Sequence, residues 1–225
     1  MMPKAEASLS GRLLRRFAHG IAAAVLLCLP LILSPFLNEA RALTAREKAD
    51  LARVDAYLNG FRTMKARFLQ ISPDGSLARG TLYLKRPGRL RFEYDPPVKL
   101  LIVADGLWVN FIDRELDEVT RLPLTATPLK ILVAERIELA RDTLVSAVRR
   151  GAGRLSVTLR DPEEPEQGSL TLEFSEKPLT LRQWSLIDAQ GGKTVVAITD
   201  QRFNLALKPE LFTYFEKERP DQGGR

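Results

Sequence analysis

The stretch LKRPGRLRFEYDPP, residues 84–97, decides how this chain folds. From Arg89 onward the side chains alternate, with Arg89, Arg91 and Glu93 on one face and Leu90, Phe92 and Tyr94 on the other. That is the period of a half-buried strand, wet outside and apolar inside. Thr81–Lys85 reads as a second strand, with Leu82 and Leu84 facing the same way. Carrying its parity one residue further puts Arg86 on the apolar side, directly before Pro87. Two readings of Arg86 stand on pattern alone. If Pro87 keeps it extended, the guanidinium lies at the rim of the concave face, where its fixed donors can hold backbone carbonyls at a nearby helix end. Otherwise it bends to water at the strand end.

The same period-two signal runs outward in both directions. Met64, Ala66 and Phe68 alternate with Lys65, Arg67 and Leu69, and further strands are expected near 77–85, 89–95, 99–105, 107–112 and 115–121. After an interruption the pattern resumes near 143–149, 154–160, 168–175, 179–188 and 193–202. The breaks are short (Pro87-Gly88, Pro96-Pro97, Asp105-Gly106), and short links join antiparallel neighbours. Two segments differ. Thr44 and Glu47 form a capping box ahead of Leu51, Val54, Leu58 and Phe61, one apolar stripe that Asn59-Gly60 can close. Thr127-Pro128 opens an apolar helical region through Leu139. Leu211, Phe212, Tyr214 and Phe215 suggest a last ordered piece before a polar tail.

A meander of about eleven strands curls on itself to bury its apolar face. The fold class is therefore mainly β with helices: an incomplete, half-open antiparallel barrel covered by an α-helical lid. Leu82, Leu84, Leu90, Phe92, Tyr94 and Trp108 are candidates to line the concave side, with Leu129, Ile131, Leu132 and Val133 from the lid. Ordinary core and ligand cavity are both compatible with this set. The four lid residues cannot share one helical stripe, so some must meet a second partner.

The first 42 residues are expected to be a secretory signal peptide: Arg12, Arg15 and Arg16, an apolar run from Ile21 to Leu37, then Ala40-Arg41-Ala42 as a cleavage site after Ala42. An uncleaved anchor is the rival reading, disfavoured by Pro30 and Pro35. Leu27 before Cys28 is too bulky for a lipoprotein signal. One domain, residues 43–225, is expected to remain. It would be exported.

Removing the leader removes the only cysteine, Cys28, and the only histidine, His19. No thiol or imidazole is left for nucleophilic catalysis or the usual metal sites, so no cofactor and no metal are expected. The acidic groups near Asp113–Glu118 and Asp161–Glu166 fall where turns are expected and read as solvated charge, so an enzyme is not expected. Five of 34 basic and two of 28 acidic residues lie in the leader, which lowers the net charge from +6 to about +3. With no dense Lys/Arg cluster, nucleic acid is not an expected partner.

The order of motifs resembles the LolA family, the periplasmic carriers that ferry lipoproteins to the outer membrane of Gram-negative bacteria. It rests on Phe68-x-Gln70, Gly80, Lys85-Arg86-Pro87, Asp95-Pro96-Pro97, Val103-Ala104-Asp105-Gly106, Trp108 and Thr127-Pro128, across essentially the whole mature chain. The resemblance implies a hydrophobic cavity that receives acyl chains beneath a helical lid. It implies that Arg86 is the lid latch, bonded to lid backbone in the empty form and released by cargo. It also implies triacylated lipoproteins and an inner-membrane lipoprotein-releasing ABC transporter as partners, leaves room for an outer-membrane receptor, and suggests a monomer. Another lipid, a phospholipid or glycolipid, is the alternative cargo. Tyr83 stands where the family usually has tryptophan, and the outer face of 89–93 is unusually charged; both bear on cargo preference.

Overall fold

The computed structural model describes residues 43–139, 144–161 and 163–214. The leader and its cleavage site lie outside them.

The chain opens on α1 (Ala45–Asn59), and the capping box is made: the Glu47 amide donates to Thr44 Oγ1 at 3.2 Å, and the Thr44 amide donates to Glu47 Oε2 at 2.8 Å. Leu51, Val54 and Leu58 are buried on one face of the helix, with Phe61 just beyond it. Asp50 is buried beside them. It is held by Arg53 at 3.3 Å and by a tighter contact with Arg150, whose Nε also reaches Glu176 at 2.8 Å. Two guanidiniums thus face the buried carboxylate and compensate its loss of water.

Six strands follow: β1 (Thr63–Ile71), β2 (Leu77–Lys85), β3 (Arg89–Tyr94), β4 (Leu100–Asp105), β5 (Trp108–Asp113) and β6 (Glu118–Pro123). A short helix, α2 (Leu129–Val133), precedes β7 (Leu144–Gly151), β8 (Arg154–Arg160), β9 (Ser169–Glu176), β10 (Leu179–Ile187) and β11 (Lys193–Phe203). All eleven form one antiparallel sheet in the order β6-β5-β4-β3-β2-β1-β11-β10-β9-β8-β7, and it does not close into a barrel. The first strand sits at the centre, paired with both β2 and β11. The sheet is thus two meanders whose free edges are β6 and β7. Residues 124–143 link those edges along the chain, and 124–139 are the described part of that link.

The register of β2 and β3 follows the alternation in residues 84–97. Leu84 pairs with Leu90, Leu82 with Phe92 and Gly80 with Tyr94, and the apolar partners are all buried. Phe68 stacks edge-on against both Phe92 and Tyr94 at 5.1 Å between ring centroids. Gly80 makes that stack fit, since a Cβ there would stand 2.2 Å from the Glu93 carbonyl and 2.6 Å from the Phe68 ring. Gly80→Ala should therefore lower stability by about 1–3 kcal/mol through overpacking, read as a lower urea midpoint at constant m-value.

The opposite face of the sheet carries a second, smaller cluster of Leu101, Val103 and Ile112, against which Tyr214 packs. The charged outer face of β2 and β3 helps to hold the C-terminal strap. Lys85 Nζ donates to the Leu207 carbonyl at 3.2 Å, and Arg91 donates to the Leu211 carbonyl, also at 3.2 Å. Tyr83 has the same parity and lies under Lys65 Nζ, 5.3 Å from its ring centroid. Tyr83 and this charged face therefore lie on the side of the sheet away from the apolar interior.

Candidate functional site

The concave face, α1 and the 124–139 segment share one continuous apolar core. Leu82, Leu84, Leu90, Phe92 and Tyr94 from the sheet are buried in it, with Leu132 and Val133 from α2; Leu129 and Ile131 pack against it while partly exposed. Leu124, Ile137 and Leu139 add to the covering segment. Trp108 is placed elsewhere. It shares the parity of Asn110 and Ile112, not that of Val109 and Phe111, so it points to the opposite face, 37% exposed and capped by Arg121 at 4.6 Å. The expectation that Trp108 lines the interior is corrected accordingly: two aromatics on opposite faces of a strand look alike in sequence, and only parity separates them.

The interior hydroxyl of Tyr94 is satisfied by Gln70 Oε1 at 2.7 Å. Burial raises the Tyr94 pKa to about 12, so the phenol stays neutral in water near pH 7. The Phe68-x-Gln70 motif thus supplies one residue that stacks on Tyr94 and another that accepts its hydrogen bond.

Arg86 lies on the apolar side, 6% exposed. Its Nε donates to the Leu132 carbonyl at 3.1 Å, and Nη1 donates to the carbonyls of Phe61, at 3.0 Å, and Leu58. The guanidinium also stacks on Phe61, 4.6 Å from the ring centroid. These acceptors belong to the C-terminal ends of α1 and α2, where helices leave carbonyls unpaired and partly negative. Among the described residues no carboxylate pairs with Arg86. Burial, helped by the neighbouring charge of Arg62, lowers its pKa to about 10. It therefore remains protonated through the neutral range, and its grip on the carbonyls does not titrate there. The group is a buried cation held by carbonyls at the ends of the two helices that cover the interior and by the Phe61 ring.

Further contacts hold the covering segment, and the sequence reading missed them. The Gly88 amide donates to the Val133 carbonyl at 2.8 Å. Gly88 is confined to φ +75, and a Cβ would meet Gly106 at 2.7 Å. Asn59 makes a reciprocal pair with Ile137, donating to its carbonyl at 2.8 Å and accepting from its amide at 3.0 Å; Asp55 accepts from the Leu139 amide at 3.2 Å. The available signal was two polar residues four apart on α1, beside the apolar stripe, which places them on one face.

The profile of the LolA family, described as outer membrane lipoprotein carrier protein LolA, matches residues 59–215. The chain belongs to the LolA family. An outer-membrane lipoprotein carrier protein of Pseudomonas paraeruginosa is 30% identical over 179 residues, covering 76% of this chain and 85% of that one. One of the same description from Chromobacterium violaceum is 29% identical, covering 73% and 82%. Among solved structures, a LolA superfamily protein from Nitrosomonas europaea covers 77% of this chain and 99% of its own, at 12% identity and a TM-score of 0.42. Among the described residues no helix is long and apolar enough to cross a membrane.

Proposed function

We propose that this protein is a periplasmic carrier that takes up the acyl chains of lipoproteins beneath its lid and passes them from the inner to the outer membrane without covalent chemistry. The observation that carries this reading is Arg86, a buried cation bonded to the backbone of the element that closes an apolar interior. The family's named carriers support the cargo class.

Burying an alkyl chain yields about 0.8 kcal/mol per methylene, so acyl chains must be hidden in transit yet surrendered at the destination. The interior is filled by the lid's own side chains in this closed form, and cargo has to displace them. Raising α2 breaks the Arg86–Leu132 and Gly88–Val133 hydrogen bonds, together about 2–4.5 kcal/mol. That cost weakens binding by the same amount and makes onward transfer feasible. On this reading the donor is the inner-membrane ABC transporter, the acceptor an outer-membrane receptor or the membrane itself, and the carrier acts as a monomer.

The test is release of a triacylated lipoprotein from spheroplasts by added purified protein. Lipoprotein recovered in the soluble fraction, bound to this chain, is the expected result. No release beside an active control carrier would end the lipoprotein reading, and mass spectrometry of co-purified lipid would then name the cargo.

A further inference from the structure

The lid is held unevenly. Residues 132–139 are tied to the body of the protein by Arg86, Gly88, Asn59 and Asp55. Thr125–Ile131 is not. Among the described residues its hydrogen bonds close on the neighbouring backbone of the lid: Thr127 donates twice to the Leu124 carbonyl, Lys130 to Thr127 and Ile131 to Pro128. Among the described residues its polar link to the rest of the protein is one long ion pair, Lys130 to Asp161 just beyond β8, at 3.9 Å.

This loosely held half borders a cleft of about 250 Å³ between the lid and the adjoining ends of β8 and β9. Leu159 and Leu170, paired across those strands, are core residues that also wall the cleft. Ile131, partly exposed, packs on the core from the lid and lines the cleft as well. Charged side chains stand around it, including Lys130, Arg160 and Asp161. An apolar wall continuous with the core beside charged groups suits an amphiphile that inserts its alkyl chain and leaves its polar end in water. Both partners of the ion pair are nearly half exposed, 46% and 42%, so water screens the contact and it resists little.

We propose that an acyl chain reaches the interior through this cleft, lifting Thr125–Ile131 away from β8 and β9 while residues 135–139 stay fixed to α1. The proposal rests on the acyl-carrier reading above. It assigns the lid two tied ends, one near Ala134, where the backbone leaves the helix with φ −55 and ψ 145, and one at Leu124, whose amide donates to the Leu107 carbonyl at 2.9 Å, with the opening edge between them, over β8 and β9.

The test uses two pairs of cysteines in a Cys28→Ser background, each bridged by a short bismaleimide. Lys130→Cys with Asp161→Cys closes the cleft. Arg62→Cys with Glu135→Cys joins two exposed positions on the α1 side, where Arg62 donates to the Glu135 carbonyl at 2.9 Å. Uptake of a dansyl-labelled long-chain fatty acid is followed by stopped-flow fluorescence, with each unbridged variant as its own reference. Bridging across the cleft should slow uptake at least about tenfold, and bridging on the α1 side should change it less than about twofold, since gating loops set such rates. Equal slowing by both bridges, or slowing by the α1-side bridge alone, overturns the proposed edge while uptake by the unbridged protein preserves the carrier reading. Unbridged protein that takes up no probe removes the carrier reading and this proposal with it.

Discussion

Arg86→Leu is expected to tighten cargo retention by about 10–100-fold and to block delivery to the outer membrane. Of the three carbonyls Arg86 holds, Leu132 belongs to the lid, whereas Leu58 and Phe61 belong to α1 and its exit. Opening the lid breaks only the first, a charge-assisted hydrogen bond of about 1.5–3 kcal/mol. Each 1.4 kcal/mol is about tenfold in an equilibrium. Removing the bond shifts the empty protein toward the open form, and apparent affinity rises with the fraction that is open. Global stability should change less than affinity. The substitution also removes a buried cation that has no carboxylate partner among the described residues, which offsets part of the lost hydrogen bonding. The check is lipoprotein transfer from carrier to outer-membrane vesicles. A variant that loads and unloads at wild-type rates would show that Arg86 is not the latch.

Asn59→Leu should do the reverse: destabilise the protein by about 2–4 kcal/mol without strengthening retention. It strips both the amide and the carbonyl of Ile137 of their partners, and a part-buried polar group left unpaired costs about 1–3 kcal/mol. In the opening proposed above, these bonds persist whether or not α2 is lifted, so their loss does not bias the lid. Urea denaturation at constant m-value measures the first effect, and the transfer assay measures the second. Asn59→Asp keeps the acceptor and should lose about half as much. A retention gain matching that of Arg86→Leu would place Asn59 on the opening side instead.

Most of the sheet was legible because its signal is local. The alternation of Leu90, Phe92 and Tyr94 with Arg89, Arg91 and Glu93 fixes which face of β3 is buried, and pairing then carries that parity to its neighbours. The strand expected at 115–121 begins later, at Glu118. Asp113 draws the amides of Glu115 and Leu116 into a turn, and Asp117 takes φ +55, so the hairpin loop is longer than its composition suggested. The lid is also shorter in helix than the apolar run implied, five residues flanked by irregular backbone. Arg86 could be placed because strand parity and motif agreed. Asn59 and Asp55 were not found because their partners are backbone groups 78 and 84 residues away, and no side-chain pattern encodes such a pairing. The buried Asp50 was hidden for the same reason: Arg150, which allows its burial, lies 100 residues on.

The connection from β6 to β7 gives the lid a mechanical role as well. The two meanders are zipped together at β1 and β11, and their free edges are bridged by the lid segment, as a bowstring joins the tips of a bow. A residue passing from helix to extended chain lengthens that string by about 1.8 Å. Unwinding the five residues of α2 would add about 9 Å, enough slack for the arms to spread and the sheet to flatten. The space beneath would then scale with how far the string has paid out, and on the proposed carrier reading a single fold would accommodate loads of different girth.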